Sequence, residues 1–217
     1  MVILLECESS VNPRYVFYTN LLYSLEPKKG LIFKDQKVIA NQRKILMSLI
    51  QSLGLKILKG ESLINKKLPI QIYEPISFLE YMCKKFIYAK PLLKKGNEIE
   101  DKLERFKKVI AFGISSLHIS IEPEIPLQSM LGETFQAKIS KYDIFCEQIS
   151  SNPPKSFINL EGYDFSIIGE HFLDVVAHPN SLIMKIKGNS KVIFKNFDDN
   201  QEVEWNYPEL ETDVILN

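Results

Sequence analysis

The sequence predicts an α+β fold, with helices first and then an antiparallel, strongly curved β-sheet forming part of an incomplete barrel. Three observations carry this. Apolar residues recur at helical spacing up to about residue 117. After about residue 133 the period switches to strict alternation. Turn signals then separate the alternating runs. A period near 3.6 turns one face of a helix to a core, whereas a period of two does so for a strand.

In chain order, residues 1–40 carry an apolar cluster of Val16, Phe17, Tyr18, Leu21, Leu22 and Tyr23. The turn Glu26-Pro27-Lys28-Lys29-Gly30 follows. This stretch reads as an N-terminal extension or docking arm. Residues 41–54 read as a helix: Asn41 caps its start, Ile45, Leu46, Leu49, Ile50 and Leu53 share one face, and Gly54 ends it. Residues 77–89 read as the next helix, with Phe78, Leu79, Met82, Cys83 and Phe86 on one side. Pro75 suits its first turn and Pro91 ends it. For the third helix, Asn97-Glu98-Ile99-Glu100 resembles a capping box. Leu103, Phe106, Ile110, Gly113, Ile114 and Leu117 then form its apolar stripe, with Lys102, Glu104, Arg105, Lys107 and Lys108 at the other positions.

The strands follow. Phe135, Ala137 and Ile139 alternate with polar neighbours, as do Tyr163, Phe165 and Ile167, then Leu182, Met184 and Ile186. Val192 with Phe194, and Val203 with Trp205, continue the pattern. Turns are read at Gly169-Glu170, His178-Pro179-Asn180, Gly188-Asn189-Ser190 and Asp198-Asp199-Asn200. Short alternating strands at such spacing argue for a meander curling toward a barrel.

Composition excludes several function classes. The chain has 27 basic and 27 acidic residues among 217, so no global field draws it to nucleic acid or an anionic membrane. No basic stripe interleaves with aromatics, so no nucleic-acid partner is expected. Cys7, Cys83 and Cys146 are odd in number and widely spaced, which argues against a disulfide framework or a zinc site and for a reducing compartment. No apolar run is long enough for a transmembrane segment, and Met1 to Leu5 meets Glu6 and Glu8 at once, unlike a secretory signal. A cytoplasmic location, free or docked on a cytosolic or cytoskeletal assembly, is expected. The three histidines, His118, His171 and His178, stand apart from any nucleophile, phosphate loop or metal pair. They read as structural. No catalysis, metal or cofactor is expected.

Two strings remain. Pro126-Leu127-Gln128-Ser129-Met130-Leu131-Gly132-Glu133-Thr134-Phe135 spans the helix-to-sheet junction, and Glu147-Gln148-Ile149-Ser150-Ser151-Asn152-Pro153-Pro154 lies downstream. Gly132 permits a sharp bend into the first strand. Pro153-Pro154 stops a strand. A strand-end reading explains either string alone; their order and spacing say more. Together they resemble the lipid-binding domain of the oxysterol-binding-protein family, which typically shows Lys-Pro-Phe-Asn-Pro-Leu-Leu-Gly-Glu-Thr-Phe and then Glu-Gln-Val-Ser-His-His-Pro-Pro. Leu68-Pro69-Ile70, Glu74-Pro75-Ile76-Ser77-Phe78-Leu79, Ala111-Phe112-Gly113-Ile114-Ser115-Ser116 and Leu160-Glu161-Gly162-Tyr163 add to the likeness.

The resemblance implies a partial domain over residues 41–217, helical in 41–130 and β in 131–217, that holds a sterol or other apolar lipid. It implies lipid-binding positions at Gln128, Leu131, Gly132, Glu133, Glu147, Gln148, Ser150, Ser151, Asn152, Pro153 and Pro154. The copy departs where the family binds phosphatidylinositol 4-phosphate. Ile125 stands at the lysine position, Gln128 at the asparagine, Ser129 at the proline after it, and Ser151 and Asn152 at the two histidines. Charge-assisted hydrogen bonds contribute about 1.5–3 kcal/mol each, so phosphoinositide recognition is expected to be weakened or lost. The sheet is expected to stop short of the family's full barrel, leaving an edge for a protein partner or second copy to cover. The alternative reading is a non-enzymatic structural or interaction subunit of a larger assembly.

Overall fold

The alternation from Phe135 onward is realised as strands whose inward residues build the core. The computed structural model describes residues 2–5, 23–26, 30–33, 36–37, 40–41, 43–44, 47, 70–117, 125–177, 181–197 and 201–213. The strands are β1 (Val2–Leu5), β2 (Tyr23–Glu26), β3 (Gly30–Phe33), β4 (Tyr73–Ser77), β5 (Ile125–Leu127), β6 (Thr134–Ile139), β7 (Tyr142–Ser151), β8 (Pro154–Glu161), β9 (Phe165–Ala177), β10 (Ser181–Phe194), β11 (Gln201–Asn206) and β12 (Glu209–Asp213). The large sheet runs β1-β6-β7-β8-β9-β10-β11, with β12 also paired to β10. From β6 to β11 it is an antiparallel meander. As described, it does not close on itself.

In the N-terminal stretch, read as an extension or docking arm, β1 adds in parallel to β6. The turn read at Glu26 to Gly30 is met by the β2–β3 hairpin, where Glu26 lies opposite Gly30. The Val16 to Leu22 cluster lies outside the described residues. Asn41, Arg43, Lys44 and Met47 are helical, but so is Ala40, so Asn41 does not cap that helix. Its expected apolar face and Gly54 lie outside the described residues.

Helix α1 (Phe78–Lys84) starts where Ser77 leaves extended backbone and its Oγ accepts from Glu80 N at 3.3 Å. Such a cap satisfies one of the unpaired N–H groups of the first turn. Pro75 therefore belongs to β4 rather than to the helix. Pro91 does not end the helical path either. A 3₁₀ stretch (Lys85–Tyr88), a π stretch (Lys90–Lys94) and a last turn (Lys95–Asn97) carry it on. The wider π turn accommodates a ring that breaks ordinary helical bonding. The face Phe78, Leu79, Met82, Cys83 and Phe86 is buried as expected.

Helix α2 (Lys102–Ser115) overturns two expectations. Its cap is Asp101, whose Oδ1 accepts from Glu104 N at 2.9 Å, and not Asn97. Asn97 ends the preceding turn, and its Oδ1 accepts from Asn196 N at 3.3 Å. The expected apolar stripe faces out: Leu103 and Ile114 are 61% and 64% exposed, and Phe106 and Ile110 are exposed as well. The buried positions are Arg105, Val109 and Phe112. Arg105 explains the rotation. Its guanidinium donates to Ile99 O at 2.8 Å, Glu100 O at 2.9 Å and Gln201 Oε1 at 3.1 Å, and lies 3.7 Å from the Phe197 ring centroid. The carbonyls left unpaired between the two helices thus draw a cation inward.

The concave face of the sheet packs Ile139, Tyr142, Ile144, Ile158, Leu160, Phe165, Ile167, Val192 and Phe194 against α1 and α2. Neither Gly169-Glu170 nor Gly188-Asn189-Ser190 is a turn, because β9 and β10 run through them for 13 and 14 residues. A Cβ at Gly169 would lie 2.7 Å from His171 Nε2 and 3.0 Å from Asn189 O. Gly188 takes φ +107, and a Cβ there would collide with the Glu170 carbonyl. These glycines let two long strands approach closely. The turns read at 178–180 and 198–200 lie outside the described residues; β9 with β10, and β10 with β11, pair antiparallel on either side of them. Tyr163 is not in a strand; it is 89% exposed in the bend before β9. That bend is held by buried Asp164, which accepts from Tyr142 Oη and Lys141 Nζ, each at 3.1 Å. Distant in sequence, Cys83 and Cys146 meet in the core as free thiols with sulfurs 3.4 Å apart. The contact with Cys146, then burial, raises the Cys83 thiol pKa well above its ordinary value.

Candidate functional site

The two singled-out strings meet. Thr134 pairs with Glu147 at the open end of the β6–β7 hairpin. Gly132 N donates to Gln148 O and Gln148 N to Glu133 O, both at 2.9 Å. Glu133 also turns back, its Oε2 accepting from Met130 N at 2.9 Å. Gly132 takes φ +77 in this turn, a conformation that favours a residue without a Cβ. Leu131 and Gln128 are exposed beside it.

The second string forms the β7–β8 hairpin. Ser151 lies opposite Pro154, with Asn152 and a cis Asn152–Pro153 bond at the tip. Ser151, Asn152 and Pro153 are exposed, and Ser150 and Pro154 half-buried. Alternation along β7 sends Glu147 outward and Gln148 inward. The tip is uncharged, since a hydroxyl and an amide stand where the family has imidazoles. Ile125 contributes no charge either and sits in β5, paired with Tyr73 of β4. Ser129 has a structural use instead. It is buried, and its Oγ accepts from Leu79 N at 3.4 Å at the start of α1. Of the expected positions, Gly132 and Glu133 meet Gln148 through the backbone, Glu147 lies beside them on β7, and Ser150 to Pro154 lie further along at the hairpin tip, with Gln148 alone among them buried.

Beyond Gln148 the inward face of the sheet changes from apolar to polar. Gln148, Ser156, His171 and Ser190 are buried on four successive strands, in a row fixed by register: Ser156 opposite His171, and Ser190 opposite Gly169 beside it. Ser156 Oγ donates to Gln148 Oε1 at 2.5 Å, and Gln148 Nε2 to Ser150 O at 2.8 Å. His171 Nε2 lies 3.2 Å from Ser190 Oγ. Buried Lys85 closes the row from the helical side, its Nζ 4.1 Å from the Tyr207 ring centroid. Burial pushes the Lys85 ammonium down to about 7. Burial first, and then the Lys85 charge, holds His171 well below its ordinary value. Burial raises the Tyr207 phenol. Removing a charge from water disfavours the ionised form in each case. Among the described residues no group of three His, Cys, Asp or Glu side chains is placed to hold a metal ion.

Of this row, only Gln148 was expected at a site. His171 reads as structural in the sequence, and Lys85, Ser156, Ser190 and Tyr207 carry no motif. The only signal is a polar residue at an inward strand position, visible once the register is known.

Comparison with known proteins agrees with this architecture. Residues 53–216 match the family described as oxysterol-binding protein. Oxysterol-binding protein 9 of Dictyostelium discoideum is 31% identical over 184 residues, covering 83% of this chain and 42% of the relative. The oxysterol-binding protein-like protein OBPa of Candida albicans is 35% identical over 119 residues, covering 52% of this chain and 26% of that protein. Among solved structures, the Osh1 ORD domain in complex with ergosterol superposes with a TM-score of 0.67 at 26% identity, covering 76% of this chain and 40% of that chain. The Osh3 ORD of Saccharomyces cerevisiae in complex with PI(4)P shares the fold, with a TM-score of 0.68 at 24% identity, over 79% of this chain and 45% of that one. The chain spans less than half the length of these relatives. With the fold, the paired strings and most of its length in agreement, this chain belongs to the oxysterol-binding protein family.

Proposed function

We propose that this chain is a lipid-binding domain that holds a sterol or other apolar lipid against its half-barrel and has lost charged recognition of phosphatidylinositol 4-phosphate. The observation that carries the reading is the β7–β8 tip. Its strand is tied to the first string through Gln148, bridged to Gly132 and Glu133, yet the tip presents only neutral Ser151 and Asn152. The role is binding without chemistry.

The test uses vesicles containing a fluorescent sterol or phosphatidylinositol 4-phosphate. The protein takes up the sterol and shows no preference for the phosphoinositide. The triple variant Ile125→Lys, Ser151→His, Asn152→His gains at least ~tenfold in phosphoinositide affinity, since each restored charged donor contributes about 1.5–3 kcal/mol. Absence of sterol uptake by folded protein, or tight phosphoinositide binding by the unaltered chain, overturns the reading.

The exposed apolar stripe of α2, Leu103, Phe106, Ile110 and Ile114, favours a second reading: an interaction subunit covered there by another chain or a second copy. A monodisperse monomer at high concentration with no copurifying protein rules it out.

A further inference from the structure

Two thiols meet where the helical layer packs on the sheet. Cys83 is the last residue but one of α1, and Cys146 lies at the middle of β7, between Phe135 of β6 and Ile158 of β8. They stand 63 positions apart in sequence, yet their sulfurs lie 3.4 Å apart and neither is bridged. Cys83 is fully enclosed and Cys146 is 4% exposed. Both belong to elements that the core holds in place: β7 is paired on both sides, and the face of α1 that carries Cys83 is buried. No group of three His, Cys, Asp or Glu forms around them among the described residues, so a metal ion would lack ligands. The thiols are also quiet as they stand. The hydrogen bond with Cys146, then burial, then the charges of Cys146 and Glu80 hold the Cys83 thiol pKa well above its ordinary value. A single buried thiol of this kind is inert. A pair in contact differs, because oxidation of either sulfur finds the other already beside it.

We propose that Cys83 and Cys146 form an oxidisable dithiol, which a hydroperoxide converts into a reversible disulfide fastening α1 to β7. In the first step one sulfur attacks a peroxide oxygen. The O–O bond breaks, the thiol proton leaves with the departing oxygen as water, and a sulfenic acid remains. In the second step the other sulfur attacks the sulfenic sulfur. The S–S bond forms, the S–O bond breaks, and the second thiol proton leaves with that oxygen as water. Two thiols and one hydrogen peroxide thus give one disulfide and two waters. Contact decides the product. A lone sulfenic acid climbs to sulfinic acid in further peroxide, whereas here the second thiol is held adjacent and the step is intramolecular. The sulfurs at 3.4 Å close to about 2.05 Å, a movement on the scale of side-chain rotation. Burial sets the rate, since peroxide reaches the sulfurs only as the core opens locally. The bridge joins two layers of the fold across a long loop, and so restricts the unfolded chain. It is a switchable bond, not a disulfide framework, and it stands whether or not the chain holds a lipid.

The experiment treats the folded full chain with hydrogen peroxide, as the unaltered protein and as Cys7→Ser, which leaves this pair as its only thiols. Unreacted thiols are then blocked with N-ethylmaleimide in denaturant, and intact mass and tryptic peptides are read. In both proteins a bridge joins the Cys83 and Cys146 peptides within one chain, and dithiothreitol reverses it. The bridge exceeds sulfinic and sulfonic products at these two residues at least ~fivefold. The bridged protein unfolds at a urea midpoint higher by about 1 M. Peroxide that fully oxidises free cysteine in the same solution, yet leaves both thiols open to maleimide, overturns the proposal. So does a product dominated by sulfinic acid or by bridges between copies. A bridged protein whose urea midpoint is not raised overturns it as well, because sulfurs that the fold already holds in contact join without distorting it.

Discussion

Replacing Lys85 by Met turns the buried amine into a measurement of stability. The side chain is fully enclosed, and burial lowers its pKa from the ordinary 10.5 to about 7. The unfolded chain keeps the ordinary value. Between about pH 7 and 10.5 the unfolded state therefore binds the extra proton, and native stability rises with pH. Above that window both states are neutral and the penalty vanishes; below it both are protonated and the penalty is constant. Each tenfold difference in proton affinity is worth ~1.4 kcal/mol. The penalty at Lys85 thus amounts to about 4 kcal/mol at pH 7 and about 2 kcal/mol at pH 9. His171 does not interfere, because its folded pKa lies below the ordinary 6.5 and both states are neutral across the window. Met has comparable volume and no charge, and such replacements are well tolerated. The loss of the Lys85–Tyr207 contact at 4.1 Å subtracts part of the gain, about 1–2 kcal/mol. Urea unfolding of both ligand-free proteins at pH 7, 8 and 9 reads the outcome. Lys85→Met is more stable by about 2–4 kcal/mol at pH 7, and its advantage shrinks by about 2 kcal/mol at pH 9. Parallel pH profiles for the two proteins would refute the buried, partly neutral lysine.

Three further outcomes test the fold. Asp101→Ala lowers stability by about 1 kcal/mol, because Glu104 N loses its acceptor; thermal melting with no change would restore Asn97 as the cap. Gly188→Ala costs more than ~2 kcal/mol, because its φ of +107 is strained for any side chain and a methyl group meets the Glu170 carbonyl. A neutral result in urea unfolding would contradict the continuous β10. Val109→Ala costs about 1–3 kcal/mol while Ile110→Gln stays within about 0.5 kcal/mol, since Val109 is 3% exposed and Ile110 45%. The reverse order would return the expected stripe to the core.

Local periodicity was enough for the alternating runs at Phe135 to Ile139, Phe165 to Ile167, Val192 to Phe194 and Val203 to Trp205, for the buried face of α1, and for the order of helices before most of the sheet. These depend on residues close in sequence, and alternation permits one inward face. The two family strings were also legible, as was the neutral character of Ser151 and Asn152, because chemical identity needs no coordinates. Three matters were decided only in three dimensions. The rotation of α2 follows from Arg105 seeking the carbonyls of Ile99 and Glu100 and the Phe197 ring, a contact that helical spacing does not encode. The continuity of β9 and β10 through Gly169 and Gly188 follows from close cross-strand packing, which in sequence looks the same as a turn. The row from Gln148 to Lys85 spans four strands and a helix, so no spacing joins its members. A residue such as His171 is ordinary in the chain. It joins a buried polar row only when the register of β8, β9 and β10 sets it beside Ser156 and Ser190.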